Sequence, residues 1–251
     1  MRPSDGLKSV ISEREHMMPR VTPTTRALAA EVVGTFFFFT LGAGAILADA
    51  LSNGAVGLVG IAVAHGIGLA VAVSIFGVIS GAHFNPAVTF AAAVGGAFPW
   101  AMILPYWIAQ LAGGVLAGVV LRATFPDTVV MVTHLGTPSV ASGIGDGTAI
   151  VVEAVLTLLL VLAVFGTAIS PTAPRIAGFG IGLTVLADIL VGGPLTGAAM
   201  NPARYFGTGL VVLFFDHWQV YVIGPLAGGL AGGLVWRYAF APTAAAVSTQ
   251  R

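Results

Sequence analysis

The chain of 251 residues is 57% hydrophobic and only 8% charged, and its formal net charge is zero. Soluble domains carry about 25% charged residues, so this composition is typical of a membrane protein, and it offers no basic surface for nucleic acid. Because the sequence contains no cysteine, it excludes disulfides, thiolate metal sites and a cysteine nucleophile. We expect no cofactor and no metal site.

Residues 1–26 carry charges of both signs, and no short apolar core with a cleavage site precedes the first long apolar stretch. They therefore predict a cytoplasmic tail and not a signal peptide. The six stretches that follow are apolar and long enough to cross a bilayer, which takes about 20 residues. They are Ala27–Ala48, Val56–Ile79, Trp100–Leu121, Thr148–Ile169, Ile176–Val191 and Trp218–Phe240.

The fifth of these stretches is short, and Gly192, Gly193 and Pro194 predict where it ends. Two more apolar pieces, Asn85–Val94 and Asn201–Leu213, are too short to span a bilayer, and each begins with Asn-Pro-Ala. Proline suits the first turn of a helix. Each piece is therefore predicted to be a half-helix that starts inside the protein.

The sequence contains an internal repeat. Glu31-x-x-x-Thr35 recurs 122 positions later, and Ser/Thr-Gly-Ala-x-x-Asn-Pro-Ala occurs at residues 80–87 and again 116 positions later at 196–203. Between and after these patterns, Gly-Ile-Gly-Leu and Leu-Ala-Gly-Gly also recur, at offsets of 114 and 115. Because each half contains three spans, an odd number, the second copy must enter the membrane inverted.

The repeat divides the chain into five parts. Lysine and arginine lie mostly on one side of the membrane if the amino terminus is inside, which predicts that both termini are cytoplasmic. The predicted parts are a cytoplasmic tail (1–26), a first repeat (27–121), an extracellular connecting loop (122–147), a second repeat (148–240) and a cytoplasmic tail (241–251).

The two Asn-Pro-Ala motifs predict the functional site. In an inverted repeat, paired broken helices meet near the membrane midplane, where irregular backbone is tolerated only beside a cavity. Each helix amino terminus carries roughly half a positive elementary charge, so the junction repels cations. Asn85 and Asn201 can cap these helices and also donate an amide proton to a water oxygen. A single motif of this kind would indicate a helix cap and nothing more.

With the double Asn-Pro-Ala, the Ser/Thr-Gly-Ala before each copy, Arg204 after the second copy and the two Glu-x-x-x-Thr helices, the chain resembles the aquaporin (major intrinsic protein) family. The resemblance extends from about Arg26 to Phe240. It implies an all-α membrane protein with six transmembrane helices plus two re-entrant half-helices in an inverted internal repeat, one pore per subunit and a homotetramer. It also implies a pore lined by the two motifs, which comprise Asn85, Pro86, Ala87, Asn201, Pro202 and Ala203.

The resemblance further implies a selectivity filter, carried over by spacing from the two motifs. His65 lies 20 positions before the first motif asparagine, Ile189 and Ala198 lie 12 and three before the second, and Arg204 lies three after it. A guanidinium at membrane depth would exclude cations and donate hydrogen bonds to a passing oxygen. The alternatives are a surface arginine for Arg204 and a hydrogen-bonded packing residue for His65.

The resemblance also implies that members specialised for water have a tighter filter, with an aromatic residue in place of His65 and a histidine in place of Ile189. Here Ile189 and Ala198 predict a wider, less polar opening, similar to that of plant vacuolar members, some of which pass ammonia, urea or glycerol. Tyr205 stands where a glycerol channel of the family usually has aspartate, which disfavours a dedicated glycerol facilitator. Water-selective members have a pair of aromatic residues in the sixth helix, and here Val222 stands where the second of them would be.

Five further polar residues are candidates for functional or structural roles. Glu31 and Glu153 could be proton carriers, but the resemblance implies that they accept hydrogen bonds from the backbone of the two broken loops. His83 could line the inner vestibule or make a structural hydrogen bond, and Gln110 is interpreted as a packing residue. Asp188 is interpreted as one of several aspartates near helix ends, with no chemistry assigned.

We therefore expect a passive channel for water that also passes small neutral solutes (ammonia, urea and glycerol) and excludes protons and ions. The alternatives are a strictly water-selective channel, an ion-coupled secondary transporter and a structural junction protein, whereas the sequence offers no nucleophile with a base for a membrane enzyme. The expected partners are water, small neutral solutes, the lipid bilayer and further copies in a homotetramer. The short tails and the lack of cysteine favour a bacterial inner membrane.

Overall fold

The computed structural model of the protein describes residues 22–242, and this part of the chain is helical and contains no strand. The predicted tails fall mostly on residues 1–21 and 243–251, outside the described residues. The helices are α1 (Pro23–Leu51), α2 (Gly57–Ser80), α3 (Pro86–Val94), α4 (Ile103–Thr124), α5 (Asp127–Thr133), α6 (Asp146–Val164), α7 (Phe179–Thr196), α8 (Pro202–Val212) and α9 (Val220–Val235). Single turns of 3₁₀ or π helix adjoin α4, α5, α6 and α9, at Trp100–Met102, His134–Gly136, Phe165–Ile169 and Trp236–Phe240.

Six of these helices, α1, α2, α4, α6, α7 and α9, are long and apolar enough to cross a membrane. With 9 and 11 residues, α3 and α8 are too short to do so. The predicted architecture of six spans and two half-helices is thus confirmed. We define the side on which α1 begins as the inner side and the opposite side as the outer side.

The first span starts earlier than predicted. α1 begins at Pro23 and not at Ala27, because Pro23 fits the first turn and the Thr22 hydroxyl accepts a hydrogen bond from the Thr25 N–H at 3.2 Å. The last residues assigned to the amino-terminal tail, up to Arg26, therefore belong to the helix.

The fifth span ends later than predicted. The prediction that the Gly-Gly-Pro sequence at 192–194 ends it is wrong, because α7 continues to Thr196 with Pro194 inside its last turn. Near a helix end a proline removes only one backbone hydrogen bond. The helix stops at Gly197, which has a φ of 78° and donates its N–H to the Gly193 carbonyl at 3.0 Å.

The connection between the two halves is folded rather than irregular. Within residues 122–147, helix α5 buries Val129 and Val130 against Leu47 of α1 and Leu121 of α4. This packing holds the connection against the outer end of the bundle, where it can contribute backbone atoms to the site described below.

Repeat-related glycines bring the spans together. A Cβ atom at Gly113 of α4 would collide with the Val32 carbonyl of α1, and one at Gly228 of α9 would collide with the Ala154 carbonyl of α6. The two glycines are 115 positions apart and their partners are 122 apart, the same offsets as the sequence repeat. Small residues of this kind let membrane helices approach closely.

Candidate functional site

The two half-helices meet with their amino termini facing each other. The Asn85 side-chain oxygen accepts a hydrogen bond from the Ala87 N–H at 2.8 Å, and its amide donates to the Met200 carbonyl at 2.8 Å. Asn201 repeats the arrangement, accepting from the Ala203 N–H at 2.9 Å and donating to the Phe84 carbonyl at 2.9 Å. Each asparagine therefore caps its own helix and binds the opposite loop, which leaves the second amide hydrogen for another acceptor.

The turn before each motif contains left-handed residues that are not glycine. Ala82 and Phe84 have φ of 51° and 50°, and Ala198 and Met200, 116 positions later, have φ of 45° and 52°. Such conformations cost on the order of 1–3 kcal/mol each, and they persist where the surroundings enforce them.

Glu31 enforces the first turn. Its carboxylate is fully buried and accepts hydrogen bonds from the Ser80 hydroxyl at 2.7 Å and from the N–H groups of His83 and Phe84 at 3.0 and 2.8 Å. The Gln110 amide adds a fourth hydrogen bond at 2.8 Å. The interpretation of Gln110 as a packing residue was therefore too narrow, because its amide links α4 to this carboxylate.

Glu153 enforces the second turn in the same way. It is fully buried and accepts hydrogen bonds from the Thr196 hydroxyl at 2.7 Å and from the N–H groups of Ala199 and Met200 at 2.9 and 2.6 Å. Both glutamates are thus engaged with the loop backbone, in the arrangement expected for a structural acceptor.

A narrow cavity of about 40 Å³ follows the half-helix junction. Because a water molecule needs about 10–15 Å³ of such space, the cavity has room for roughly three waters. It shares Gly81 and His83 with a wider cavity of about 650 Å³ toward the inner side. The narrow cavity brings together both motif asparagines and the whole predicted filter: Asn85, Asn201, His65, Ile189, Ala198 and Arg204.

Arg204 lies at the outer end of this cavity and is only 3% exposed. Its Nη2 donates to the Gly136 carbonyl at 2.7 Å, and its guanidinium carbon lies 5.8 Å from the centre of the Phe39 ring. These contacts exclude the alternative of a surface arginine. The Nη1 atom of Arg204 lies 3.5 Å from the Thr208 hydroxyl, and Arg204 remains one of the residues that line the narrow cavity.

The other three residues of the predicted filter differ in polarity. His65 is buried, and its Nδ1 lies 2.9 Å from the Ile61 carbonyl, so this nitrogen is the donor and Nε2 is left as an acceptor. Ile189 and Ala198 are both buried and bring only apolar atoms to the cavity wall from their side chains. His65 is therefore both hydrogen-bonded to its own helix and part of the wall.

The chain matches the family described as Major intrinsic protein over residues 18–236. The chain belongs to the major intrinsic protein family. Aquaporin TIP2-1 of Arabidopsis thaliana is 43% identical over 224 residues, which cover 86% of this chain and 87% of that protein. Aquaporin NIP1-1 of Zea mays is 37% identical over 217 residues, which cover 86% and 74%. The solved structure of the aquaglyceroporin from Plasmodium falciparum has the same fold, with a TM-score of 0.77 at 21% identity over 90% of this chain and 99% of that chain.

Members of the major intrinsic protein family are channels and not enzymes, so the protein is a passive, multi-pass membrane channel for water and small solutes. The two relatives named above are plant proteins. They therefore give no support to the bacterial inner membrane that the short tails and the lack of cysteine favoured.

His83 satisfies both of its interpretations. Its Nδ1 lies 3.1 Å from the Thr89 hydroxyl, and its ring packs against Phe98 and Tyr106 at centroid distances of 4.8 and 5.3 Å. It also lies in the wall of both cavities of the channel. A hydrogen-bonded histidine thus lies in the stretch of wall that the narrow and wide cavities share.

The placement of Asp188 near a helix end was wrong. It lies in the interior of α7, directly before Ile189, and is 4% exposed. Its Oδ2 has no hydrogen-bond partner within residues 22–242. The sequence position suggested a helix end only because α7 was predicted to stop at Val191.

Sequence reasoning missed two parts of the filter region. The acceptor of Arg204 is the backbone carbonyl of Gly136, and Phe39 of α1 packs beside the guanidinium. A carbonyl has no side-chain signature, although the glycine, with a φ of 67°, marks a special turn. Phe36–Phe39 is a run of four phenylalanines in which Phe38 lines the narrow cavity and Phe39 packs beside the guanidinium, and sequence alone does not distinguish them.

Proposed function

We propose that the protein conducts water and small neutral solutes such as ammonia, urea and glycerol, and that it excludes protons and other ions. The observation that carries the proposal is the narrow cavity of about 40 Å³ between two facing helix amino termini and Arg204. A solute must lose most of its hydration shell to pass through this cavity. Neutral molecules that can exchange hydrogen bonds with the wall lose little in doing so, whereas ions lose their hydration.

Ion exclusion follows from the charges that face the cavity. Each half-helix amino terminus carries roughly half a positive elementary charge, and the Arg204 guanidinium adds a full one. The neighbouring carboxylates, Glu31 and Glu153, are engaged by four and three hydrogen-bond donors from their own loops and neighbours. Asp188, whose Oδ2 has no partner within residues 22–242, is not among the residues that line the cavity. A cation in the cavity therefore meets positive potential and no carboxylate in the described wall.

Permeability to solutes other than water follows from the apolar part of the filter. The side chains of Ile189 and Ala198 contribute no hydrogen-bond group, so the proposed filter has polar side chains only at His65 and Arg204. Glycerol has a hydroxyl edge and a hydrocarbon edge, urea has polar edges and less polar faces, and ammonia is about as small as water. One polar and one apolar wall suit such molecules better than a wall that is polar all round.

An ion-coupled transporter is the less supported alternative. It would need a free ionisable group or a cage of carbonyls at the midplane. Near the half-helix junction, the polar side chains in the cavity wall are the amides of Asn85 and Asn201, both of which cap half-helices, and the buried Asp188 is not part of that wall. Measuring the flux of solutes other than water distinguishes the strictly water-selective channel from our proposal.

The experiment is stopped-flow light scattering on proteoliposomes exposed to gradients of sucrose, urea, glycerol and ammonium. We expect the native protein to pass water and the small neutral solutes. In the double variant His65→Phe, Ile189→His, which narrows the filter and makes the second wall polar, we expect water flux to persist and urea and glycerol flux to fall about tenfold or more, as for loss of about 1.4 kcal/mol.

The matched control is Ile189→Leu, which keeps the volume and the apolar character of the wall and should keep the solute profile of the native protein. A native protein that passes water alone would contradict the wide filter and leave the strictly water-selective channel. Absence of any flux in correctly folded protein would remove the proposed conduction altogether.

We also infer the orientation, the division of the chain and the assembly. Arg26, Arg175 and Arg237 are on the inner side, which supports cytoplasmic termini, with repeats at 27–121 and 148–240 joined by an extracellular loop at 122–147. On the outer side, Arg122 is paired with Asp127. The family resemblance supports a homotetramer with one pore in each subunit, and native mass spectrometry would measure the number of subunits.

A further inference from the structure

A third cavity lies outside the channel, among α4, α9 and the first turns of the half-helices α3 and α8. Its volume is about 200 Å³. Most of its wall comes in repeat-related pairs, at offsets of 116, 115 and 115: Pro86 with Pro202, Trp107 with Val222, and Leu111 with Leu226. The cleft therefore lies on the pseudo-two-fold axis that relates the two halves.

One pair breaks the symmetry. The Trp107 indole N–H donates to the Pro86 carbonyl at 3.0 Å, and its ring covers that side of the axis. On the other side, Val222 is much smaller and leaves the corresponding space open. Trp107, Phe206 and Val222 are partly exposed, so the cleft opens to the surface of the bundle.

The opening faces the hydrocarbon core of the membrane. Leu111 lies near the middle of the span Trp100–Thr124, and Pro86 and Pro202 begin the half-helices that meet at the junction. Among the residues that line the cleft, the indole nitrogen of Trp107 is the only polar side-chain atom, and it is already hydrogen-bonded. A polar ligand would find no partner there.

We propose that this cleft binds one lipid acyl chain per subunit. The bound chain lies against both motif prolines and fills the space that Val222 leaves, so it completes the packing behind the half-helix junction. This site depends on the fold and the membrane depth alone, and it stands whether or not the proposed solute selectivity is correct.

The test is quenching of Trp107 fluorescence by a brominated lipid. Replacing Trp100, Trp218 and Trp236 with phenylalanine leaves Trp107 as the reporter. The full chain in detergent is titrated with phosphatidylcholine brominated near the middle of its acyl chains, and with the unbrominated lipid as the blank. We expect quenching that saturates near one lipid per chain.

Two matched variants distinguish the cleft from the general lipid-facing surface. Val222→Phe fills the cleft and should raise the half-saturating lipid concentration about tenfold, as expected when about two methylene groups are kept out of an apolar site. Leu230→Phe adds the same ring to an exposed position of α9, two turns away, and should leave the titration unchanged.

Quenching that grows without a plateau, or that is equal in the Val222→Phe and Leu230→Phe variants, would overturn the proposal and leave only unspecific lipid contact. Quenching that occurs only after the oligomer dissociates would assign the cleft to a second copy of the chain. If the tryptophan-depleted protein does not fold, native mass spectrometry of the otherwise native chain gives the same decision, because one retained lipid per chain should be lost in Val222→Phe and kept in Leu230→Phe.

Discussion

The two halves of the channel hold their half-helices in the same way. A buried glutamate on the first span of each half, Glu31 or Glu153, accepts hydrogen bonds from the turn before the motif. A tyrosine on the third span then donates to the carbonyl at the end of the second, from Tyr106 to Ser80 and from Tyr221 to Thr196, at 2.8 Å in both cases. The framework is therefore duplicated together with the sequence repeat.

The halves differ in the residues that face the solute. The position of Arg204 in the second half corresponds, 116 residues earlier, to Val88 in the first, and the position of Ala199 corresponds to His83. His83 borders the wide cavity of about 650 Å³ as well as the narrow one, whereas Arg204 borders only the narrow cavity of about 40 Å³. The same framework thus carries the predicted filter at one end and the wide cavity at the other, and the two ends differ by a few residues at matched positions.

Removing the glutamates should produce the largest effect, and it tests whether the framework is equally important in both halves. Glu31→Leu leaves four donors without their acceptor and Glu153→Leu leaves three. At about 1–3 kcal/mol for each buried unpaired group, several kcal/mol are lost in either variant. We expect a fall in melting temperature on the order of 10 °C or more, or no folded protein.

The measurement is thermal unfolding in detergent, in which size-exclusion chromatography reports the folded protein that remains at each temperature. Glu31→Gln and Glu153→Gln are the controls, because each keeps one acceptor oxygen and should lose less stability than the leucine variant. A leucine variant that melts with the native protein would mean that the turn in that half is held by other contacts.

Replacing Arg204 with valine makes the second half match the first, which has Val88. At about 5 Å and an effective dielectric constant of 20, a unit charge contributes about 3 kcal/mol against a cation, so proton and cation leak should rise by about two orders of magnitude. Water flux should change much less. A pH-sensitive dye inside proteoliposomes, with an imposed potential, measures the leak.

Arg204→Lys is the control for charge. It should keep ion exclusion but lose the planar contact that the guanidinium makes with the Gly136 carbonyl. An Arg204→Val variant that stays as tight to protons as the native protein would assign exclusion to the half-helix termini alone, and would make the asymmetry between the halves irrelevant to ions.

Most of the framework can be predicted from sequence because its signals are local. Six apolar stretches of sufficient length predict the spans, and the pair of Asn-Pro-Ala motifs predicts the half-helices, since proline and asparagine act on the helix start itself. The repeat offsets relate the two halves without any knowledge of contacts. The least accurate boundaries, at Pro23 and around Pro194, are those where a proline is inside a terminal turn.

The rest of the site depends on contacts between distant segments. Gly136 meets Arg204 across 68 positions through a backbone atom, and Gln110 reaches Glu31 across 79. Asp188 was misplaced because its burial depends on where α7 ends and on what packs around it. None of these relations has a pattern of residue spacing, so they become visible only when the helices are assembled.

The smallest predicted effect gives the sharpest comparison of the halves. Tyr106→Phe and Tyr221→Phe each remove one hydrogen bond to a carbonyl and keep the ring, so its packing against His83 or Tyr205 is unchanged. Each should lower stability by about 0.5–1.5 kcal/mol, which for a chain of this size corresponds to roughly 1–6 °C in melting temperature. The two sites lie in different halves and share no partner, so the double variant should show the sum of the two shifts within about 0.5 kcal/mol. Equal and additive shifts in melting temperature would mean that the tyrosine hydrogen bond contributes the same stability in both halves. A clearly larger shift for one tyrosine would show that this half relies more on its third span.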